Sequence, residues 1–291
     1  SNLLNIANQI AVIAILAIGM TLVIITAGID LSVGSLIAFS AVLATWIIKS
    51  WMGGVESGSG GMIIACMLSI LACSGLGLFS GSMVAFFGVP SFVASLGMMM
   101  VASGLAYMLS GGQSIYQVPP SFEWLGRGDD LVGIPNAVVL MIILYLFAHL
   151  MMSRTVAGRQ IYAVGGNPEA ARLSGVPVRR ILLSVYAGCG ALAGLGGIVM
   201  ASQFRSGDPK YGLMYELYVI AAVVVGGSSL SGGRGKVFGT LIGAFIIAVI
   251  QNGMNLTGVQ SYTQKVVLGL VLLSAVLLDL VKKRGWKLNS N

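Results

Sequence analysis

Charge is what this sequence has least of. Only 9% of its 291 residues are Asp, Glu, Lys or Arg, against roughly 25% in ordinary soluble domains. A soluble domain that is 57% hydrophobic, with a mean hydropathy of +0.95, could not cover its apolar surface with so few charged side chains. The scarcity excludes a cytosolic enzyme core and a nucleic-acid-binding domain, in spite of a net charge of +7. Disorder is excluded by the opposite excess. Histidine occurs once, at His149 in an apolar stretch with no acid beside it, which fits a packed or interfacial ring rather than a metal ligand. The three cysteines, Cys66, Cys73 and Cys189, form no CxxC pair and read as small core residues. No Ser/His/Asp or Cys/His set stands together where water could reach it, which argues against a membrane-embedded enzyme. A polytopic membrane protein remains.

The spacing of the few charges defines the spans. A bilayer core about 30 Å thick needs roughly 20 apolar residues as helix. No charged residue precedes Asp30, none lies between Leu31 and Ile48, and none between Ser57 and Phe122. Further uncharged runs cover Leu131–Ser153, Ile181–Phe204, Leu217–Gly233 and Val237–Gln264. Pro90 lacks an N–H and biases Val89 away from helix, so Gly88-Val89-Pro90-Ser91 divides the long central run into two spans. The expectation is an all-α transmembrane bundle forming a single domain over 1–291. Its nine spans fall near 3–27, 31–49, 62–87, 91–110, 134–152, 181–202, 214–228, 237–256 and 262–281. The 214–228 segment is short and open to a re-entrant reading.

Lys and Arg set the orientation. Loop 153–180 holds Arg154, Arg159, Arg172, Arg179 and Arg180, and the C-terminal tail holds Lys282, Lys283, Arg284 and Lys287. Both are expected in the cytoplasm, and the even number of spans between them agrees. Loop 111–133 carries Glu123, Asp129 and Asp130 against Arg127 and falls outside. The same parity leaves residue 1 outside, yet the chain opens on Ser1 with no basic n-region. An upstream cytoplasmic start and one more helix are therefore expected, ten spans in all, with no cleavable signal peptide.

Glycine is abundant, at 41 residues, about twice its usual ~7% share. Lipid gives helices no hydrophobic reason to pair, so small residues that allow close approach take over. Gly75, Gly77 and Gly81, and Gly188, Gly190, Gly194, Gly196 and Gly197, read as such contact seams.

Asp30 lies within Gly28-Ile-Asp-Leu-Ser-Val-Gly-Ser35. A carboxylate at bilayer depth would serve a proton relay or touch substrate. At an interface, Asp30 and Ser32 would instead cap a helix starting near Leu31. Glu216 admits the same two readings. The glycine-rich stretch Gly226–Val237 fails as a phosphate-binding loop, because GxxxxGK[ST] needs Gly at 230 and Ser or Thr at 237, where the chain has Leu230 and Val237. ATP is not expected to bind this chain.

Within the basic loop, Asn167 suits a helix N-cap, Pro168 the first helical position and Glu169 the positive pole. Gly175 supplies a stop, with Pro177 beyond it. The product is a short helix, too short to stand alone in water. It includes Ala170, Ala171, Arg172, Leu173 and Ser174, and Leu173 is its one large apolar residue. Docking against another protein fits better than lying on lipid headgroups, for which the apolar face is small.

These stretches, in order along nearly the whole chain, resemble the permease subunits of ribose-type ABC importers. They are Gly19–Ser35, Val89–Gly97, Gly158–Asn167 with Ala170-Ala171 and Ser174-Gly175, Tyr215–Leu217, Ala221–Gly227, Leu230–Gly233, Gly239–Gly243 and Asn252-Gly253. The resemblance implies a multi-pass protein of the bacterial inner membrane, with loop 153–180 and the C-terminus cytoplasmic. It implies a second permease chain, identical or paralogous, surrounding lipid, and ATPase subunits that bind ATP and Mg in this chain's stead. A periplasmic sugar-binding protein would deliver a neutral monosaccharide, and alternating access would move it. Residues 167–175 correspond to the family's coupling helix. The family's permeases start with a further cytoplasmic segment and helix absent from this sequence. Thr21, Thr26, Ser32, Ser35, Asn252 and Asn255, with Asp30 and Glu216, are the candidates for the sugar's pathway. The competing reading is an ion-coupled secondary transporter that uses Asp30 or Glu216.

Overall fold

The computed structural model describes residues 2–130 and 133–288. Ser1, and the side chains of Lys282, Lys283, Arg284 and Lys287 used to orient the chain, lie outside what it describes. Among the described residues the chain is helical, with one isolated antiparallel bridge between Ile115 and Gly207. Its helices are α1 (Asn2–Ile25), α2 (Val33–Trp51), α3 (Ser59–Phe87), α4 (Ser91–Ser110), α5 (Trp124–Arg127) and α6 (Asn136–Arg154). They continue as α7 (Val156–Gly166), α8 (Pro168–Leu173), α9 (Val178–Phe204), α10 (Tyr215–Val225), α11 (Val237–Leu256) and α12 (Ser261–Leu288). Seven of the described helices are long and apolar enough to cross a membrane: α1, α2, α3, α4, α6, α9 and α11. The apolar stretch of α12 covers Tyr262–Leu277, and α10 is shorter still. The expected all-α bundle is present, and the turn expected at Gly88–Pro90 separates α3 from α4, with Gly88 at φ +66°.

Helix α1 is the axis of the bundle, apolar all round and almost wholly buried, as a helix without a polar face must be. It packs against α6, α9, α10 and α11. Two polar contacts tie it to neighbours: the Thr21 hydroxyl lies 2.8 Å from that of Thr240 on α11, and Tyr145 on α6 donates to Ala14 O at 2.9 Å. Thr21 is thus a helix–helix contact rather than part of a pathway wall. The outer helices α3, α4 and α6 turn large apolar side chains outward, among them Phe87, Met108 and Phe147. The lone His149 stacks on Phe238, ring centres 4.6 Å apart.

Only part of the expected glycine seam is a seam. A Cβ at Gly190 would collide with Cys73 O, and one at Gly77 with Tyr186 O. At Gly81 it would stand 2.9 Å from Tyr186 Cβ, so α3 and α9 touch backbone to backbone. Gly196 meets Leu16 of α1, and Gly197 faces Ile37 O of α2. Gly75 and Gly188 face open space, with nothing within 4 Å of an added Cβ. They sit on the same helices but on faces away from the contact. Gly190→Leu should therefore cost about 1–3 kcal/mol or more and lower the melting temperature in detergent, whereas Gly188→Leu should leave it unchanged. Equal effects from the two would contradict the packing described.

Candidate functional site

Two non-helical segments, one between two spans and one within a span, lie inside the protein, and the second reaches the start of α2. The first lies between α1 and α2. Gly19, six residues before the end of α1, packs against Cys189, with an added Cβ 2.9 Å from its Cα. The Cys189 thiol neighbours Asp30. Asp30 therefore lies about 9 Å back along α1 from its last residue, at 1.5 Å per residue. Segment 26–32 turns back into the protein after Ile25, with Ala27 at φ +62°. Thr26 donates to Val23 O at 2.8 Å, Ser91 Oγ accepts from Ile29 N–H at 3.2 Å, and Ser95 donates to Ile29 O at 3.2 Å, while Asp30 Oδ2 has no hydrogen-bond partner among the described residues.

Asp30 is fully buried here, and its Oδ1 accepts from Ser32 N–H at 2.9 Å and Ser32 O–H at 2.6 Å. This corrects the expectation that Asp30 and Ser32 cap a helix from Leu31. Helix α2 begins at Val33, and Ser32, though at its N-cap, makes no side-chain cap bond; its hydroxyl donates to Asp30.

The second interruption precedes α10. Arg205 ends α9 in the left-handed region, at φ +50°, and the backbone runs beside α2. A Cβ at Gly207 would stand 2.6 Å from Ala41 O and collide with Thr45 Oγ1; at Gly212 it would collide with Gly34 O. The chain thus passes along α2 from the level of Thr45 to that of Gly34, about 16 Å of helix. Helix α10 then covers 11 residues, about another 16 Å. Segment 205–225 is therefore long enough for a bilayer core of about 30 Å, half non-helical and half helix. The expected short segment over 214–228 is present as the helix Tyr215–Val225, with non-helical chain leading into it. Irregular backbone at membrane depth is tolerated where protein or a water-lined cavity covers it.

Where this second segment meets the start of α2 lies a cavity of about 340 Å³. Gly34 and Ser35 of α2, Ser103 and Tyr107 of α4, and Lys210 and Glu216 are in its wall. The Glu216 carboxylate lies against Gly34, where an added Cβ would collide with Oε2. Of the sequence candidates, Ser35 and Glu216 share this cavity. Asp30 and Ser32 are buried beneath it, and Thr26 lines a separate space of about 220 Å³ with Tyr186, Val164 and Pro168. Asn252 and Asn255 lie near the far end of α11, where Gln264 donates to Asn255 Oδ1 at 2.8 Å. Sequence reasoning missed Ser103, Tyr107 and Lys210, which no motif marks; the break itself falls in the charged, Gly- and Pro-containing stretch 205–212 that separates the expected spans 181–202 and 214–228.

The other feature is the α7–α8 elbow. Helix α7, absent from the sequence reading, is capped by Thr155, whose Oγ1 accepts from Gly158 N–H at 3.3 Å. Asn167 caps α8 as expected, its Oδ1 accepting from Glu169 N–H and Ala170 N–H at 3.0 Å each. Gly175 sits at φ +81°, and Val176 N–H reaches back to Ala171 O at 3.0 Å, closing the helix. Glu169 and Arg172 pair at 2.6 Å in full solvent; the guanidinium holds the Glu169 carboxyl below its ordinary range, and the carboxylate raises Arg172 in turn. Ala171 faces inward, whereas Leu173 is 77% exposed. Arg154, Arg159, Arg179 and Arg180 are exposed around it.

The elbow is anchored to the core. An added Cβ at Gly165 would collide with Ile25 O and stand 2.7 Å from Gly233 N. Gly233 N–H donates to Ile25 O at 2.8 Å. Tyr162 donates to Gly235 O at 2.7 Å, and burial pushes its phenol above the ordinary range. The glycine-rich loop 226–236, which fails as a phosphate loop, is thus a clasp on the end of α1.

A bundle with two internal breaks, a polar-edged cavity and an anchored surface helix defines a membrane transport subunit. The family model described as "Branched-chain amino acid transport system / permease component" matches residues 2–276. The chain belongs to this family, the branched-chain and ribose-type permeases of ABC importers. It is 43% identical over 283 residues to the ribose import permease protein RbsC of Escherichia coli K12, covering 96% of this chain and 85% of that one. The RbsC of Bacillus subtilis 168 is 41% identical, with 96% and 84% covered. The xylose transport system permease protein XylH of Escherichia coli K12 is 34% identical, with 97% and 86% covered. No solved structure matches.

Asn167→Ala should remove about 1 kcal/mol of capping and speed amide exchange at Glu169 and Ala170 about fivefold. Arg172→Ala, which breaks only a solvent-exposed pair, should leave those amides nearly unchanged. Hydrogen-exchange mass spectrometry on the two variants checks this.

Proposed function

We propose that this chain is the membrane-spanning subunit of an ATP-driven importer for a neutral monosaccharide of the pentose or hexose class. The observation that carries the coupling is α8, a capped short helix with Leu173 outward, fixed through α7 to Ile25 and Gly233. A helix of this length is not stable alone in water, and its mounting suits a lever gripped from outside. In this reading separate ATPase subunits bind ATP and Mg and hold residues 167–175. A second permease chain completes the pathway, and a periplasmic sugar-binding protein supplies the solute. The elbow and the C-terminus then face the cytoplasm of a bacterial inner membrane. The names of the relatives, ribose and xylose permeases, support a sugar over an amino acid.

ATP shifts the chain between inward- and outward-open states only by contacting them differently, so the link from ATPase to span must be stiff. The α7 clamp provides that stiffness. An ion-coupled carrier working through Asp30 or Glu216 would leave α8 and its anchorage without a role, and family membership favours the importer.

Asn167→Ala combined with Leu173→Asp should abolish sugar uptake while the chain inserts at its normal level and its ATPase partners dissociate on purification. Uptake that survives the double substitution would remove the coupling role. Transport in liposomes without any ATPase, lost on Asp30→Asn, would establish the ion-coupled reading instead.

A further inference from the structure

Resting on the importer reading, we infer that the 340 Å³ cavity between α2, α4 and residues 209–216 is a transit site for a single polyhydroxylated sugar, with Glu216, Ser103 and Tyr107 as its recognition groups. The volume is at the small end of the roughly 300–1,000 Å³ range of ligand pockets, the scale of one monosaccharide rather than an oligosaccharide.

The lining has the required chemistry. Met99, Met100, Leu213 and Met214 give it an apolar surface for the C–H faces of a sugar ring. The hydroxyls of Ser103 and Tyr107 have no hydrogen-bond partner among the described residues, and Glu216 makes no ion pair there. Ser35 donates to Ser32 O at 2.8 Å and keeps its oxygen as an acceptor. An ionised carboxylate is an acceptor only and has two oxygens, so it suits adjacent hydroxyl donors. Such a small set of polar groups on an apolar wall orients a ligand without holding it long, as transit requires.

Charge selects against ionic solutes. Lys210 and Glu216 are the charged residues in the wall and cancel formally. Glu216 also stands in the first turn of α10, at the positive end of that half-helix. A solute carboxylate finds that pole already taken by like charge. A neutral polyol meets no such repulsion.

The test uses the assembled importer in liposomes with its sugar-binding protein, following labelled D-ribose, D-xylose and L-leucine. Glu216→Gln should raise the ATP consumed per sugar delivered about tenfold, and Tyr107→Phe severalfold, the losses expected for charged and neutral hydrogen bonds. Both should change the ratio of ribose to xylose carried, and Glu216→Asp should recover part of the loss. An unchanged ATP-to-sugar ratio in both Glu216→Gln and Tyr107→Phe overturns the site and leaves the importer standing. Should Glu216→Gln fail to assemble, Tyr107→Phe and Ser103→Ala, which each remove one oxygen, decide the matter. Wild-type transport of L-leucine with no sugar overturns the importer reading itself, and the site with it.

Discussion

The hydrogen bond from Gly233 N–H to Ile25 O, 2.8 Å long, joins three parts of the chain that are far apart in sequence. The last carbonyls of a helix have no partner inside it, and a buried one left unpaired is costly. At the end of α1 the answer is a second strand of chain, the loop 226–236, pressed so close that Gly165 of α7 fits on its other side only because it has no Cβ. Gly232, at φ +79°, lets that loop turn against Gly165 O and Ala27. The glycines that superficially suggested phosphate binding are required here for close approach.

The same demand for satisfied backbone applies to the two non-helical segments. Residues 26–32 and 205–214 leave the helical ladder within the protein, where water is scarce. The first break is held by Ser91, Ser95 and the Asp30–Ser32 pair. The second is held by the Ile115–Gly207 bridge, with N–H···O distances of 2.8 and 2.9 Å, and by the Ser206–Tyr211 hydroxyl pair at 2.6 Å. Side-chain and bridge bonds of this kind substitute for a helix at a site where only a non-helical backbone can bring Gly34 and Gly212 into contact. The cavity lies where this second segment runs between the start of α2 and α4.

Much of the bundle was legible from charge spacing alone. The uncharged runs placed the long helices, and Pro90 marked the α3–α4 turn. Caps placed α8, since Asn, Pro and Gly act through local backbone geometry. What escaped is what depends on tertiary contact. Helix α7 is amphipathic and rests on Ile25, so its stability is not local. Both non-helical segments fall between expected spans, at 28–30 and 203–213, but their place inside the bundle escaped, because hydropathy does not say which side of a helix end a linker packs on. Gly75 and Gly188 were indistinguishable from Gly77 and Gly190 in sequence, because the face a glycine occupies is decided by the partner helix. Asn252 and Asn255 were grouped with Ser35 by residue type, whereas α11 carries them to the other end of the molecule.

In the proposed importer, covalent connection from the Ile25 clasp is the route by which a push on the elbow would reach the cavity. From Ile25 the chain enters segment 26–32 and arrives at Gly34 and Ser35, one wall. From the clasping loop, one residue back from Gly226, it enters α10 and leads to Glu216, the facing wall. Gly226 and Gly243 hold α10 against α11 so closely that neither admits a Cβ, and α10 must move as a body. A shift of α7 at Gly165 would therefore act on both walls through short, well-packed segments rather than through flexible loops. Because packed elements have discrete arrangements rather than a continuum, the contact between Gly34 and Glu216 is a natural place for the pathway to be either closed or open.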